Sequence, residues 1–104
     1  MAGFVQIIEF TTTRPDEVKA LGDQYRADRK ASGEAPPVIR GTFTADKDRP
    51  NTYLNIVEFP SYEAAMANSQ HPSTSEFAQK MMVLCDGAPK FYNLDVTDVW
   101  TPDD

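Results

Sequence analysis

The residue best suited to acid–base chemistry in this sequence is its one histidine, His71. Histidine is the residue type that exchanges a proton most readily near neutral pH. Proline disfavours helical geometry in the residue ahead of it, so His71-Pro72 predicts a helix break. The N-terminus of the next helix favours a neutral imidazole, which is able to accept a proton. We therefore take His71 as the candidate catalytic base, with an exposed histidine at a kink as the alternative.

Two amides are the second candidates for chemistry. Gln6 and Asn55 interrupt the aromatic and aliphatic side of two strand-like segments, 4–10 and 53–59. A buried amide costs free energy unless its hydrogen bonds are made. The two amides therefore either satisfy each other or supply the polar groups of an apolar ligand pocket. In the second case the expected substrate-binding residues are Gln6, Asn55, Tyr53, Phe10 and Phe59, with Phe4 beside them.

Two carboxylates occupy matching positions in the same segments. Glu9 and Glu58 would stand side by side if the segments ran parallel, and close carboxylate pairs are used for acid–base catalysis. Near strand ends, however, glutamates are more often solvated or paired with a base, and Arg40 is such a base. We favour this structural role over the catalytic one.

The remaining reactive side chains give weaker signals. Cys85 follows Leu84 on an apolar helical face, which favours a buried, unreactive thiol. Tyr92 and Asn93 lie on the last predicted strand, and alternation alone does not decide which of them faces the pocket. The sequence contains no glycine-rich phosphate loop, nucleophile elbow or dinucleotide motif, so we expect no cofactor. With one cysteine and one histidine, we also expect no metal site.

The elements that position these residues come from an internal repeat. The segment Phe4-Val5-Gln6-Ile7-Ile8-Glu9-Phe10 reappears, type for type, as Tyr53-Leu54-Asn55-Ile56-Val57-Glu58-Phe59. Both segments have the β-branched and aromatic composition of strands. A helix start follows each one, with Thr13 and Ser61 as the predicted N-caps. The repeat therefore predicts two βα units.

The first predicted helix covers residues 14–32, and its core stripe consists of Val18, Leu21 and Tyr25. Its last turns carry basic residues, which suit the helix dipole and which we interpret as a solvated face: Arg26, Arg29 and Lys30. Residues 38–45 form the second predicted strand, and the polar loop 46–51 leads into the third.

The second helical region begins at Ser61 and breaks at His71. Ser73 is predicted to be the N-cap of the next helix, and the Glu76 side chain is predicted to accept a hydrogen bond from the Ser73 backbone N–H. The helix that follows is predicted to turn six side chains inward: Phe77, Met81, Leu84, Ala78, Met82 and Cys85. The last predicted strand covers 90–100, and 101–104 is a frayed acidic tail.

This order predicts an α+β domain of the ferredoxin-like type, βαββαβ with a four-stranded antiparallel sheet, in which we take the first and third strands as parallel. The two central strands are apolar on both faces, and both helical regions lie on the same side. The other face would expose four aliphatic residues: Val5, Ile7, Leu54 and Ile56. We therefore expect a homodimer with two sheets packed face to face, and Trp100 either anchors the partner or caps its own subunit.

Composition limits the class of protein. The 104 residues are 40% hydrophobic and 25% charged, as in one soluble domain, and we assign 1–104 to a single domain. The formal charge is −6 with no Lys/Arg cluster, so we expect no nucleic-acid partner. No run reaches membrane-span length and no leader pattern begins the chain, so we expect no membrane partner and a cytoplasmic location.

Several of these segments resemble the dimeric α+β barrel proteins, the group of antibiotic-biosynthesis monooxygenase-like and stress-responsive barrel domains. The similar segments are 5–10, 54–59 with the following Ser61-Tyr62-Glu63, and His71-Pro72 followed by Phe77. The resemblance implies a dimeric barrel that binds a small aromatic or apolar ligand. It further implies a cofactor-independent monooxygenase, and a non-catalytic ligand-binding or assembly domain with a self-filled pocket is the alternative.

Two other activities in that group fit the residues less well. Cyclase-type members carry a His-Pro-x-His motif and an upstream tyrosine, whereas this chain has Thr74 and Asn68 at those positions. Haem-degrading members carry a tryptophan in the second helical region, which this chain lacks. The resemblance therefore favours the monooxygenase-like members.

Overall fold

Four strands and three helices make up the fold. The computed structural model describes residues 3–103. The elements are β1 (Gly3–Thr11), α1 (Pro15–Ala31), β2 (Arg40–Ala45), β3 (Thr52–Phe59), α2 (Tyr62–Ser69), α3 (Pro72–Leu84) and β4 (Lys90–Val96). The strands form one antiparallel sheet in the order β2-β3-β1-β4. The predicted ferredoxin-like α+β fold is confirmed, and the helix break at His71 separates α2 from α3.

The direction of β3 differs from the prediction, because β1 and β3 pair antiparallel. The short loop between β2 and β3 makes a hairpin, and Asn51 at its end adopts a left-handed conformation with φ 61°. A hairpin reverses the chain, so β3 runs against β2, while the helical crossover makes β2 parallel to β1. A repeat in sequence therefore does not require the two strands to run in the same direction.

The antiparallel register separates the two glutamates. Glu9 lies opposite Leu54 and Glu58 lies opposite Val5, at different ends of the strand pair. The prediction that they stand side by side is therefore wrong. Arg40 Nε donates to Glu58 Oε2 at 2.7 Å, as the structural alternative predicted.

The buried core lies between the sheet and α2. Phe4 and Phe59 are paired across β1 and β3 and pack against Ala65 of α2, and all three side chains are 3% exposed. Val57 and Met66 border this cluster. The four aliphatic residues of the opposite face, Val5, Ile7, Leu54 and Ile56, are half-buried within one chain. α2 packs on the face that carries Phe4, Val57 and Phe59.

Three of the predicted helix caps can be compared with the structure. Ser61 caps α2 as predicted, since its Oγ accepts a hydrogen bond from the Ala64 N–H at 3.1 Å. Thr13 does not cap α1; the N-cap position is Arg14, whose N–H donates to the Thr12 hydroxyl at 3.0 Å. Ser73 lies inside α3, where Pro72 takes the first position and His71 the cap.

The outer strands are shorter than predicted. β4 ends at Val96, which pairs with Gly3 at the start of β1. β2 begins at Arg40 rather than at residue 38, directly after the stretch that contains Pro36 and Pro37. Asp104 of the predicted tail lies outside the described residues.

Two predicted helix faces need correction. Ala78 and Met82 of α3 are exposed, because α3 packs mainly on α1 through the stripe that contains Phe77. Arg29 of α1 does not belong to a solvated face. It is 4% exposed and lies one turn after Tyr25, on the same side of α1 as Val18. No helix among residues 3–103 combines the length and apolar character needed to cross a membrane.

Thr12 connects the end of β1 to the end of α3, and this yields a test of the fold. Thr12 is fully buried, and its hydroxyl donates to the Leu84 C=O at 2.6 Å while it accepts from the Arg14 N–H. Thr12→Val keeps the shape and leaves both backbone groups unpaired, so we expect the free energy of unfolding to fall by about 1–3 kcal/mol. Urea denaturation measures the change. Thr12→Ser keeps the hydroxyl and is the control; a valine variant at least as stable as the serine variant would contradict this role.

Candidate functional site

The candidate site is the helix-facing side of the sheet, away from the core under α2. The pairing register places Gln6 and Ile8 of β1, Asn55 of β3 and Asn93 of β4 on this side. The first three are half-buried and Asn93 is exposed. Whereas α2 packs on β1 and β3, α1 packs mainly on α3. The middle of the sheet is therefore only partly covered.

Three aromatic rings form a stack at the end of this surface where β1 leads into α1. The ring centroids of Phe10, Phe43 and Tyr53 lie 5.7–5.9 Å apart, and the rings of Phe43 and Tyr53 are nearly parallel at 3°. Phe10 is buried, Tyr53 is half-buried and Phe43 is 45% exposed. We call these residues the aromatic stack. The three ring centroids form a nearly equilateral triangle, and Phe43 is its most exposed member.

Phe43 was missed as a candidate although the sequence contained a signal for it. It is the one aromatic residue of β2, and it pairs with Asn55. The alternation of β2 alone does not show which face Phe43 takes, because that depends on the register with β3. Phe59, which was a candidate, lies at the other end of the strand in the core with Phe4.

The amide of Gln6 pairs with Asn93 rather than with Asn55. Gln6 Nε2 donates to Asn93 Oδ1 at 3.1 Å. Gln6 faces Val57 across the strands and Asn55 faces Ile8, so these two amides share a face but are offset along it. The open question about the last strand is also resolved, since Asn93 lies on the helix-facing side and Tyr92 on the opposite side.

His71 uses both of its ring nitrogens at the start of α3. Nδ1 accepts a hydrogen bond from the Ser73 N–H at 3.1 Å, so the imidazole is the N-cap of the helix. Nε2 lies 2.8 Å from Glu34 Oε1. Because Nδ1 is an acceptor, the neutral ring carries its proton on Nε2 and donates it to the carboxylate.

The distance between His71 and the aromatic stack constrains any shared chemistry. Phe10 lies beside the start of α1, whereas Glu34, the partner of His71, follows its end. The 17 residues of α1 span about 25 Å. His71 and the aromatic stack are therefore at opposite ends of the helical layer, and Gln6 and Asn55 lie between these ends.

The charged groups on the other side of the sheet are arranged as structural pairs. Glu9 accepts hydrogen bonds from Arg49 Nη1 at 3.3 Å and from the Tyr92 hydroxyl at 3.2 Å. The Arg49 hydrogen bond chiefly lowers the pKa of Glu9 below its ordinary value, and Tyr92 adds to this. A carboxylate held in its charged form is a poor general acid or base at neutral pH.

Cys85 is half-buried, and its surroundings keep it protonated. Burial raises the pKa of the Cys85 thiol, and the neighbouring Asp86 carboxylate raises it further. A thiol in this state is a weak nucleophile. Among residues 3–103, no three His, Cys, Asp or Glu side chains come together in a way that would hold a metal ion.

Two cavities lie outside the candidate site. One of about 240 Å³ opens at the end of the sheet near Val5, Ile39 and Val99. A smaller one of about 70 Å³ lies between α1 and α3 beside Tyr25 and Phe77. Neither is lined by His71 or by the amides of the sheet.

The cap made by His71 can be tested by substitution. His71→Ala removes the acceptor of the Ser73 N–H, so we expect a loss of about 0.5–2 kcal/mol in the free energy of unfolding. His71→Asn retains a good cap residue and is expected to recover most of this loss. Thermal and urea unfolding measure both variants. Equal destabilisation by alanine and asparagine would show that the cap contributes little.

Comparison with known proteins relates the fold to solved structures. No family model matches the sequence, and no curated protein sequence matches it. A protein of Caulobacter crescentus CB15 assigned as an antibiotic biosynthesis monooxygenase superposes with TM-score 0.76 at 16% identity, over 93% of this chain and 92% of that chain. SnoaB, a cofactor-independent oxygenase from Streptomyces nogalater, superposes with TM-score 0.72 at 18% identity over 100% of both chains. A protein of Bordetella bronchiseptica, also assigned as an antibiotic biosynthesis monooxygenase, gives TM-score 0.74 at 14% identity, over 96% of this chain and 100% of that chain.

These identities establish a shared fold. The resemblance inferred from the strand segments and from His71-Pro72 is confirmed at this level, since the neighbours are antibiotic biosynthesis monooxygenase-like proteins and the superpositions cover nearly the whole chain. The chain has the ferredoxin-like α+β fold of the antibiotic biosynthesis monooxygenase-like proteins.

Proposed function

We propose that this protein binds a flat aromatic or apolar metabolite on the helix-facing side of its sheet and oxidises it as a cofactor-independent monooxygenase. The observation that carries the proposal is the aromatic stack, whose outer ring, Phe43, is 45% exposed on a partly covered sheet. The fold shared with SnoaB, a cofactor-independent oxygenase, supports the reaction type.

The binding surface combines apolar and polar groups in the way small-molecule sites do. A ring laid against Phe43 and Tyr53 stacks on them and removes apolar surface from water. The amides of Gln6, Asn55 and Asn93 lie farther along the same face and would fix the orientation of a carbonyl or hydroxyl group. Phe10 supports this surface from a buried position, whereas Phe59 lies in the core at the other end of β3.

The proposed reaction balances without a cofactor, because the substrate itself supplies the electrons that reduce O₂. A base removes a proton from an activated CH₂ group of the substrate, and the resulting carbanion reacts with O₂ to give a peroxide on that carbon. Loss of water from the peroxide leaves a carbonyl, so CH₂ and O₂ become C=O and H₂O. Acid–base assistance of this kind contributes about 10²–10⁴ in rate.

His71 is the proposed base, and its contacts define how it would act. Glu34 holds the Nε2 proton, which leaves Nδ1 as the accepting nitrogen once the Ser73 N–H moves away. A substrate that contacts both His71 and the aromatic stack must extend along α1, a helix of about 25 Å. A fused system of three or four rings is shorter than this helix, so a substrate that reaches both sites needs an extended substituent in addition to its rings.

A second function is supported by the same contacts. Both nitrogens of His71 are engaged in structural hydrogen bonds, and Phe10 and Phe59 are 4% and 3% exposed. These features suit a ligand-binding or assembly domain that performs no catalysis and fills part of its pocket with its own side chains.

Ligand binding is tested first. We expect three- and four-ring phenols or quinones to raise the melting temperature, with about 2.7 kcal/mol of stabilisation at 100-fold excess over Kd. Phe43→Ala is expected to weaken binding about 2- to 12-fold by calorimetry through loss of the ring contact. Tyr62→Ala is the control, because Tyr62 is an exposed aromatic residue next to Phe4, at the other end of the sheet. Failure of every compound in the panel to bind would refute the ligand proposal.

The catalytic step separates the two functions. Oxygen uptake with a bound ligand is compared between the wild type and His71→Asn, which keeps the cap but has no basic nitrogen. Uptake that depends on His71 supports the monooxygenase. Binding without uptake supports the non-catalytic domain, and unchanged uptake in the variant removes His71 as the base.

We further propose a homodimer formed through the sheet face that the helices leave open. Val5, Ile7, Leu54 and Ile56 lie on this face, and the neighbouring Leu94 is 43% exposed. Each aliphatic side chain that becomes buried contributes about 1.5–3 kcal/mol. We also place the protein in the cytoplasm, as a single domain, since its lone half-buried thiol suits a reducing compartment.

The dimer is tested by mass in solution. Light scattering at micromolar concentration is expected to give twice the 11.6 kDa of one chain. Ile7→Glu places a charge opposite Ile56 at the centre of the face and is expected to give monomers. Val83→Glu is the control, because Val83 is 76% exposed on α3. A monomeric wild type at this concentration would refute the dimer.

A further inference from the structure

We propose that Arg29 is the positioning residue of His71, which it holds through Glu34 and through the residues on either side of the α2–α3 junction. Arg29 is a charged side chain that is 4% exposed, an arrangement that requires a structural reason. Its proposed role is to orient the imidazole. This orientation contributes to catalysis only if His71 is the base, and in that respect the inference rests on the proposed function.

Arg29 fixes the backbone of Glu34 by two reciprocal hydrogen bonds. The Glu34 N–H donates to the Arg29 C=O at 2.9 Å, and Arg29 Nε donates to the Glu34 C=O at 2.6 Å. Gly33, between α1 and Glu34, has φ 79°, a conformation that glycine adopts without strain and that turns the chain back toward the helix. The guanidinium therefore supplies one of the two hydrogen bonds that hold the Glu34 backbone, and the Arg29 carbonyl accepts the other.

Glu34 transmits that position to the imidazole. Its Oε1 lies 2.8 Å from His71 Nε2, and this hydrogen bond favours the tautomer with its proton on Nε2, which the Ser73 N–H also favours from the other side of the ring. The same tautomer leaves Nδ1 as the acceptor of the Ser73 N–H. Arg29, Glu34 and His71 thus form a chain of contacts in which each member determines the geometry of the next.

A second nitrogen of the guanidinium holds the two helices that meet at His71. Arg29 Nη1 donates to Asn68 Oδ1 in α2 at 2.7 Å and lies 3.5 Å from Thr74 Oγ1 in α3. It also donates to the Tyr25 hydroxyl at 2.7 Å. Asn68 and Thr74 each lie three residues from His71, on opposite sides of it. One side chain therefore joins the end of α1 to both helices at this junction.

The fork shape of arginine is needed for this arrangement. All the acceptors are neutral oxygens, and no carboxylate among residues 3–103 forms an ion pair with Arg29. A lysine would supply the same charge from a single point and cannot reach the Glu34 carbonyl and Asn68 together. Arg29→Lys is therefore expected to keep the helix and release the imidazole.

The experiment observes the tautomer of His71 directly. Since His71 is the one histidine in the chain, selective ¹⁵N labelling of histidine gives an unambiguous imidazole spectrum. In the wild type we expect a single Nε2–H tautomer and slow exchange of the Ser73 amide. In Arg29→Lys we expect loss of the single tautomer and faster Ser73 exchange, in a protein whose circular dichroism shows it to be folded.

Two further variants make the result decisive. Arg26→Lys is the control, because Arg26 is an exposed arginine one turn earlier that pairs with Asp23. Glu34→Ala removes the exposed carboxylate that links Arg29 to the ring, and it is expected to weaken the tautomer preference, because only the Ser73 N–H then holds the imidazole. A folded Arg29→Lys protein with the wild-type imidazole spectrum overturns the proposal. Should Arg29→Lys fail to fold, an unchanged spectrum in Glu34→Ala overturns it instead.

This readout needs no substrate, so it is independent of the proposed function. An altered spectrum with no ligand or turnover found would establish Arg29 as the residue that orients His71 and would leave the monooxygenase refuted. If Arg29→Lys and Glu34→Ala keep both turnover and the wild-type imidazole spectrum, the role of Arg29 is refuted and the monooxygenase is supported.

Discussion

The central strands of this sheet are apolar on both faces, so burying their side chains requires a cover on each face. The helices of one chain cover only part of one face. α2 closes the end of the sheet around Phe4 and Phe59, while α1 and α3 pack much of their apolar surface against each other. Within residues 3–103 the buried apolar side chains are Phe4, Phe10, Val18, Phe59 and Ala65. Such a small core leaves two surfaces partly open: the middle of the helix-facing side, and the opposite face with its half-buried aliphatic residues. The proposed ligand and the proposed second copy would each cover apolar surface that the helices of one chain leave open.

The sequence predicted which residues share a face of the sheet better than it predicted whether neighbouring strands run parallel or antiparallel. Alternation assigns Phe4, Gln6, Ile8 and Phe10 to one side of β1 whether the neighbouring strand is parallel or antiparallel, and this sorting agrees with the register. Direction depends on the connections, and the hairpin between β2 and β3 outweighs the likeness of the repeated segments. The error had a chemical consequence. In a parallel pair Glu9 and Glu58 would have formed a carboxylate pair, whereas the antiparallel pair sends each to its own arginine.

Helix ends show why local signals were only partly sufficient. Pro72 correctly marked the break, and Ser61 correctly marked the start of α2. At α3, Ser73 had the preferred residue type, but the proline fixed the first helical position at 72 and left the cap to His71. Arg29 illustrates a different limit. Its position on the stripe of Val18 and Tyr25 was visible, yet nothing local showed that Asn68 and Thr74, distant in sequence, would supply the neutral acceptors that make its burial possible.

The structure separates the proposed binding surface from the proposed base. The aromatic stack lies where β1 leads into α1, and the imidazole lies beyond the other end of that helix, so the two are joined only by a ligand that runs across the amides between them. A compact ligand would occupy the stack and leave His71 in its capping role. An elongated ligand would reach the α2–α3 junction, where displacement of the Ser73 N–H from Nδ1 exposes the basic nitrogen. The cap is expected to contribute about 0.5–2 kcal/mol and each aromatic contact of a ligand about 0.5–1.5 kcal/mol, so the two contributions are of the same order. Under the proposed function, the length of the ligand would therefore decide whether His71 keeps its capping role or acts as the base.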